Sequence, residues 1–126
     1  MYQAFGLLKP DSDFTLAAAA QKLAARFRGC ALTQEGDQLT VSTKDWEIHL
    51  TLASGPQILD ESRKIEEGIG GDQDDLGIVK CDRRVEVASD IADPEMEHFA
   101  DYLAVIEVLQ SFKGLIAVDP QEPSLL

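Results

Sequence analysis

The segment 46–52, WEIHLTL, has the clearest structural pattern in the chain. Its apolar and polar residues alternate strictly, with Trp46, Ile48, Leu50 and Leu52 on one side and Glu47, His49 and Thr51 on the other. Successive side chains of a β-strand point to opposite faces of the sheet, so this segment predicts a strand with one apolar face. A strand with one face on a core and the other in water is typical of an antiparallel sheet.

Five more segments have strand-like composition: 2–8, 30–35, 38–42, 76–89 and 115–118. Gly36 and Asp37 separate two of them and form a turn pair. The segment 76–89 is interpreted as one long strand or as two strands joined near Asp82. Its apolar parity is interrupted at Arg83, an interruption that a β-bulge would explain.

The first predicted helix covers residues 14–28. Its apolar residues recur at helical spacing, and Ser12 or Asp13 is expected to be its N-cap. The second predicted helix, 57–68, follows SGPQI, in which Ser54 and Gln57 have the spacing of a capping box and Pro56 suits the first turn.

The third predicted helix extends from Asp93 to about Phe112. Asp93 is the expected N-cap and Pro94 the first helical residue, while Glu95 and Glu97 would complement the helix dipole. We expect this helix to be the central packing element. Its Phe99, Leu103 and Ile106 are predicted to pack on the apolar side of the segment 46–52.

A chain of 126 residues is suited to one domain with one core. The predicted fold class is therefore α+β, with one antiparallel or mixed sheet of five to six strands packed by three helices mainly on one face. The predicted element order is β-α-β-β-β-α-β-α-β. Residues 119–126 are expected to form an irregular C-terminal tail, because Pro120 and Pro123 disfavour regular structure there.

The charge balance is strongly acidic, with 23 Asp and Glu residues against 11 Lys and Arg residues and a formal net charge of -12. Such a surface repels nucleic-acid phosphates and anionic membranes, and attracts a basic protein patch or a cation. The alternative is that the acidity serves only solubility. The N-terminus has no signal-peptide pattern, no apolar run is long enough to span a bilayer, and Cys30 and Cys81 suggest no disulfide framework. We therefore expect a cytoplasmic protein.

The acidic residues that could contact a partner occur on the second predicted helix and in the loop after it. They are Asp60, Glu61, Glu66, Glu67, Asp72, Asp74 and Asp75. The loop GDQDD also resembles the start of an EF-hand, but Leu76 and Arg83 occupy the fifth and twelfth positions, where calcium ligands belong. We expect no calcium site there, and Lys80, Arg83 and Arg84 are expected to pair with Asp82, Glu86 or this loop.

Catalytic and cofactor motifs are weak. Glu95 and His98 have the spacing of a di-metal helix motif, but the motif occurs once, and His49 lies on the polar side of its strand. We find no nucleophile elbow and no phosphate-binding glycine loop. The sequence therefore predicts no cofactor, no metal and no catalytic residue.

In size, acidity and element order, the chain resembles the bacterial immunity proteins that neutralise toxin domains and the secretion chaperones with helices on a bent sheet. The resemblance implies a non-enzymatic acidic protein-binding domain with a basic protein as partner. The alternative is a small enzyme or ligand-binding domain with a cleft near His49 or His98. The oligomeric state is left open.

Overall fold

The computed structural model of the chain describes residues 2–43, 46–69, 77–89, 91, 93–121 and 124–126. The strands are Tyr2–Leu8 (β1), Ala31–Glu35 (β2), Gln38–Ser42 (β3), Glu47–Ser54 (β4), Arg83–Ser89 (β5), Leu115–Asp119 (β6) and Ser124–Leu125 (β7). The helices are Leu16–Arg26 (α1), Pro56–Ile69 (α2) and Phe99–Gln110 (α3), and a 3-10 turn covers Ile78–Lys80.

Within the described residues, seven strands form one sheet in the order β2-β3-β4-β5-β1-β6-β7, and all neighbouring strands are antiparallel. The predicted α+β class is confirmed. The sheet has one strand more than predicted, because Ser124 and Leu125 pair with Asp119 and Val118 in the segment that was expected to be irregular.

One face of the sheet, which we call the α1/α3 face, carries the larger core. Trp46, Ile48 and Leu50 are buried on it, so the predicted register of β4 is confirmed, and Leu50 pairs with Leu39 on one side and Val87 on the other. The helices α1 and α3 cover this face with Leu16, Ala19 and Leu23 and with Tyr102, Val105, Ile106 and Leu109.

The predicted burial of Leu103 is wrong, because this residue is 42% exposed, whereas Phe99 and Ile106 pack on the core as expected. The buried stripe of α3 consists of Tyr102, Val105, Ile106 and Leu109, at helical spacing. Leu103 follows Tyr102 and is rotated by roughly 100° from it around the helix axis, so it points away from the sheet.

The helix α2 lies on the opposite face, which we call the α2 face, so the expectation that all three helices mainly cover one face is wrong. Adjacent residues of β1 show this: Leu8 belongs to the larger cluster, and Leu7 to a smaller cluster with Ile65 of α2. The other members of the smaller cluster are Ile78, Cys81 and Val118. Because β1 and β6 are apolar on both sides, both faces need a cover.

The N-cap of α1 is Thr15, whose hydroxyl accepts a hydrogen bond from the Ala18 amide at 3.1 Å. The two residues predicted for this role bind other groups. Ser12 Oγ accepts from the Phe14 amide, and Asp13 Oδ1 accepts from the Lys113 amide. Thr15 lies two residues after Asp13 and three after Ser12, so the N-cap prediction is wrong. The carboxylate of Asp13 instead binds the amide of Lys113, 100 residues away in sequence.

The predicted capping box of α2, between Ser54 and Gln57, is also wrong. Ser54 is the last residue of β4, and the carbonyl of Gly55, which has a φ of 125°, accepts from the amides of Ile58 and Leu59. Pro56 lies in the first turn of α2, as expected, and is its first residue, one position before the predicted start at 57.

The predicted strand 76–89 is shorter than expected, because residues 77–82, the described residues before β5, do not form a strand. Gly77, with a φ of 76°, leads into the 3-10 turn, and β5 begins at Arg83. The register of β5 with β1 and β4 is continuous from Arg83 onward, so Arg83 is not a bulge.

Candidate functional site

The predicted acidic surface on α2 is divided by the fold. Asp60 and Glu67 are exposed, and Asp60 lies 3.9 Å from Arg63 of the next turn. Glu66 is buried and Glu61 is half-buried. The helix therefore presents fewer carboxylates to a partner than its sequence indicates, and the exposed Arg63 and Lys64 offset part of their charge.

Glu61 is directed to an internal partner, the guanidinium of Arg84. Arg84 lies on the α2 face of β5 with its side chain 8% exposed, and its Nη1 is 2.7 Å from Glu61 Oε2. Its Nε is 3.4 Å from Glu86 Oε2, and the guanidinium lies 4.0 Å from the centre of the Phe5 ring. The predicted pairing of Arg84 with Glu86 is thus present, and Glu61 completes a charge cluster in which the guanidinium is buried and the two carboxylates are about one third exposed.

A shallow cleft of about 310 Å³ lies beside this charge cluster. Its lining consists of Phe5, Glu61, Lys64, Ile65, Arg84 and Pro120. Of the two cations in the lining, Arg84 pairs with Glu61 and with the adjacent Glu86, and Lys64 is exposed. Among the described residues, its lining contains neither of the two histidines.

The other three predicted partner-binding residues, Asp72, Asp74 and Asp75, lie outside the described residues, and so does the loop that was weighed as a calcium site. In the parts of the chain that are described, His, Cys, Asp and Glu side chains do not gather in a group of three or more that could hold a metal ion.

A second acidic region extends from β5 through α3. The segment 85–112 has seven Asp and Glu residues and no Lys or Arg. The turn 93–98 within it exposes Glu95, Met96 and Glu97. The third helix begins five residues later than predicted, at Phe99 instead of Pro94, because Met96 has a φ of 56°, a left-handed conformation that no right-handed helix accommodates.

The carboxylate of Asp93 holds this turn together. It accepts hydrogen bonds from the Glu97 and His98 amides at 3.0 and 2.9 Å and from the Tyr2 hydroxyl at 2.6 Å. Burial alone would raise the pKa of Asp93, but these hydrogen bonds outweigh it and lower that pKa. The hydrogen bond to Asp93 also raises the pKa of Tyr2 to about 12. The contact ties the turn to β1, 91 residues away in sequence.

His98 is packed flat against Trp46. The ring centres are 5.0 Å apart with an interplanar angle of 2°, and His98 Nδ1 is 3.1 Å from Asp101 Oδ2. Tyr2 adds an edge contact to Trp46 and a stacked contact to Tyr102. Tyr2 and Trp46 lie far from His98 in sequence. The spacing of Glu95 and His98 alone therefore could not predict that these rings pack together.

His49 lies on the polar side of β4, as predicted. Its Nδ1 is 2.9 Å from Thr40 Oγ1, and its Nε2 is 3.5 Å from Glu47 Oε1. A hydroxyl, an imidazole and a carboxylate in this order resemble a nucleophilic triad, but catalysis also needs donors for an oxyanion and a site that excludes water. A second cleft, of about 270 Å³, is lined by Tyr102, Leu103, Ile106, Glu107, Gln110 and Leu126, so it includes neither His49 nor His98.

The cysteines are free thiols in different surroundings. Cys81 is buried in the smaller cluster, and burial raises its pKa to about 11. At neutral pH this thiol is protonated, which makes it a poor nucleophile. Cys30 is half-buried just before β2.

No protein-family model matches the chain, and neither a curated protein nor a solved structure matches it. Among the described residues, none of the helices combines the length and the apolar character needed to cross a membrane. Charges, burial and contacts in the chain itself are therefore the basis for proposing a function.

Proposed function

We propose that the chain is a non-enzymatic protein-binding domain that presents an acidic surface to a basic protein. The observation that carries the proposal is the exposed turn 93–98 between β5 and α3, in a segment, 85–112, with seven acidic residues and no Lys or Arg. Arg84 and Arg26, from outside the segment, pair with Glu86 and Glu107, so among the described residues the turn carries most of its unpaired acidic surface. We call the exposed Glu95 and Glu97 of this turn, with Asp93 and Asp101 beside them, the acidic turn. A stretch of one sign of charge attracts the opposite charge and accelerates its encounter.

Apolar side chains accompany the acidic turn. Met96 is 56% exposed and Ile91 is 37% exposed. Methionine is enriched at protein interfaces, and an apolar centre with a polar rim is the usual composition of a binding surface. Asp60 and Glu67 of α2 form a second, weaker acidic patch, which we call the α2 patch, and Asp72, Asp74 and Asp75 follow it in sequence.

Two kinds of protein binder are consistent with this surface. An immunity-type inhibitor would cover a basic toxin domain, and a secretion-chaperone-like protein would hold a partner before export. We place either activity in the cytoplasm, the compartment in which two free thiols remain reduced.

The test is affinity capture from the native cell with four immobilised proteins. Beside the wild type are Glu95→Gln Glu97→Gln in the acidic turn, Asp60→Asn Glu67→Gln in the α2 patch, and Asp11→Asn Asp82→Asn as a matched control. Asp11 and Asp82 are exposed and adjoin the opposite end of the β1 and β5 pair from the acidic turn. Each variant removes two negative charges, so a difference in capture between the variants cannot result from net charge alone.

We expect a basic protein that the wild type and the control capture equally and that the acidic-turn variant captures at least tenfold less. Stopped-flow association of that protein should slow as salt rises, because long-range attraction is screened over about 8 Å at physiological ionic strength. Loss of capture in the α2-patch variant alone would show that the partner binds to α2 and not to the acidic turn. Equal capture by all four proteins, with association independent of salt, would show that the acidity serves solubility only.

A further inference from the structure

The two edges of the sheet differ in how they are protected against pairing with another strand. An exposed edge strand carries a row of unpaired amides and carbonyls, and proteins usually shorten such strands or add Pro or Lys. The edge strand β7 has two residues, Ser124–Leu125, and Pro120 and Pro123 precede it. The strand β2 at the other edge has five residues and contains neither Pro nor Lys.

The geometry of the β2–β3 hairpin determines which backbone groups of β2 are available. β2 pairs with β3 alone among the described strands, through a two-residue turn in which Gly36 has a φ of 57°. Antiparallel pairs alternate between hydrogen-bonded and non-hydrogen-bonded from the turn onward. Counting from the Glu35–Gln38 pair, Leu32 and Gln34 direct their amides and carbonyls toward the open edge.

These available groups are placed symmetrically about Thr33. Two copies of β2 that pair antiparallel around Thr33 align Leu32 of each copy with Gln34 of the other, and both of these residues point their backbone groups to the edge. In this register the turn before β2 of one copy and the hairpin turn of the other lie at the same end of the paired strands, which brings the exposed Arg28 toward the exposed Asp37 of the other copy. A two-fold contact makes each of these charge pairs twice.

We propose that β2 pairs with β2 of a second copy of this chain, which gives a two-fold dimer with one sheet continuous across both copies. The charge complementarity between Arg28 and Asp37 selects this occupant. The interface is small, so the dimer is in equilibrium with the monomer and its fraction rises with protein concentration. Because each copy has a net charge of -12, salt that screens this repulsion strengthens the dimer.

Disulfide trapping tests the register in a Cys30→Ser background. Thr33 faces its own counterpart in a non-hydrogen-bonded pair, where Cα atoms are about 4.5 Å apart, within the range that a disulfide spans. Thr33→Cys should therefore form a covalent dimer on mild oxidation. Glu35→Cys lies on the same side of the same strand and is the matched control: it should not bridge to itself but should bridge to Ala31→Cys in a mixture of the two.

Sedimentation equilibrium tests the dimer without cross-linking. The mass should rise from 13.8 kDa toward twice that value as concentration and salt increase. Thr33→Lys places like charges directly opposite each other and should abolish the increase, while Gln38→Lys, the same charge change on β3, should not. Melting curves should be similar for both variants, because both positions are exposed.

Equal disulfide formation by Glu35→Cys and Thr33→Cys would overturn the proposed register. A monomer at every concentration, with no Thr33→Cys dimer, would overturn the proposal and leave this edge to a strand from a different protein.

Discussion

The two faces of the sheet differ in the size of their apolar clusters and in the polarity of their side chains. The α1/α3 face has one large apolar cluster that extends over β1, β3, β4, β5 and β6 and lies beneath two helices. The α2 face has a small cluster around Leu7 and Ile65. Across β3 and β4 it instead carries Thr40, His49 and Thr51, which are half-buried. A single sheet thus buries most of its apolar side chains on one side and keeps polar side chains on the other.

This difference shows where a small acidic domain can place charge. A buried ion pair adds little stability unless its geometry satisfies both partners, so charges are tolerated where the apolar cluster is thin. Arg84 occupies such a place on the α2 face, between Glu61 and Glu86. We therefore expect core mutations on the α1/α3 face to have the largest effects.

The largest effect should come from Leu50→Ala, at the centre of the α1/α3 face. Leu50 is 0% exposed, and truncating it should lower the free energy of unfolding by about 2 to 5 kcal/mol, as such cavities do. Urea denaturation gives the value. Thr51→Ala, one residue away on the α2 face, is the control and should cost at most about 1 kcal/mol. Equal costs at the two positions would contradict the difference between the faces.

Ile65→Ala should be milder, about 2 kcal/mol, because a thin cluster under one helix can relax around the lost atoms. The change should also be local. Hydrogen exchange should show faster exchange of α2 amides, with the amides of β1 and β5 almost as protected as before. Uniform loss of protection over the whole sheet would mean that the two faces unfold as one unit.

Arg84→Met tests the charge cluster on the α2 face. We expect a loss of about 1 to 2 kcal/mol, below the loss for a fully buried pair, because Glu61 and Glu86 are about one third exposed and regain water. Methionine retains the packing on Phe5. In a Glu61→Gln background the same change should cost less, and a double-mutant cycle with additive effects would show that Glu61 and Arg84 are not coupled.

The smallest effect should come from Tyr2→Phe, at the margin of the α1/α3 face, and it should depend on pH. The pKa of Asp93 is lowered in the folded protein, so its stabilising contribution is present above the unfolded pKa of about 3.9 and is lost as pH falls through the folded pKa. The Tyr2 contribution is complete below pH ~10 and is lost as pH rises through its folded pKa of about 12.

The difference in unfolding free energy between wild type and Tyr2→Phe should therefore be largest near neutral pH and should shrink at acid pH. Urea denaturation at several pH values measures it, and Tyr102→Phe is a control, since its hydroxyl donates to the uncharged Gln3 carbonyl, at 3.3 Å. A difference that is independent of pH would mean that Asp93 does not receive its hydrogen bond from Tyr2.

Most strands were predictable from local patterns. The bounds of β1 and β3 match the prediction, and the alternation of β4 identified its buried side correctly. The errors occur where a distant contact competes with a local signal. Asp93 is a good N-cap by sequence, but its carboxylate holds a turn against Tyr2, and α3 begins at Phe99 instead.

The candidate site was less predictable than the fold. The sequence identified the carboxylates of α2 but could not show that Arg84, from a strand far along the chain, pairs with Glu61 and neutralises its charge. It also attributed Glu95 and Glu97 to a helix dipole, which concealed the acidic turn. The exposed fraction of a side chain depends on which element covers it, and that information is not local.

The sequence by itself determined the α+β class, the alternating strands and the excess of acidic charge, because side-chain periodicity and composition are properties of neighbouring residues. Only the tertiary structure decided the strand order, the placement of α2 on the opposite face and the open edge at β2. Each of these depends on contacts between residues far apart in the chain. Such contacts form because the apolar surface that they bury on both sides of β1 outweighs the entropy cost of closing the intervening loops.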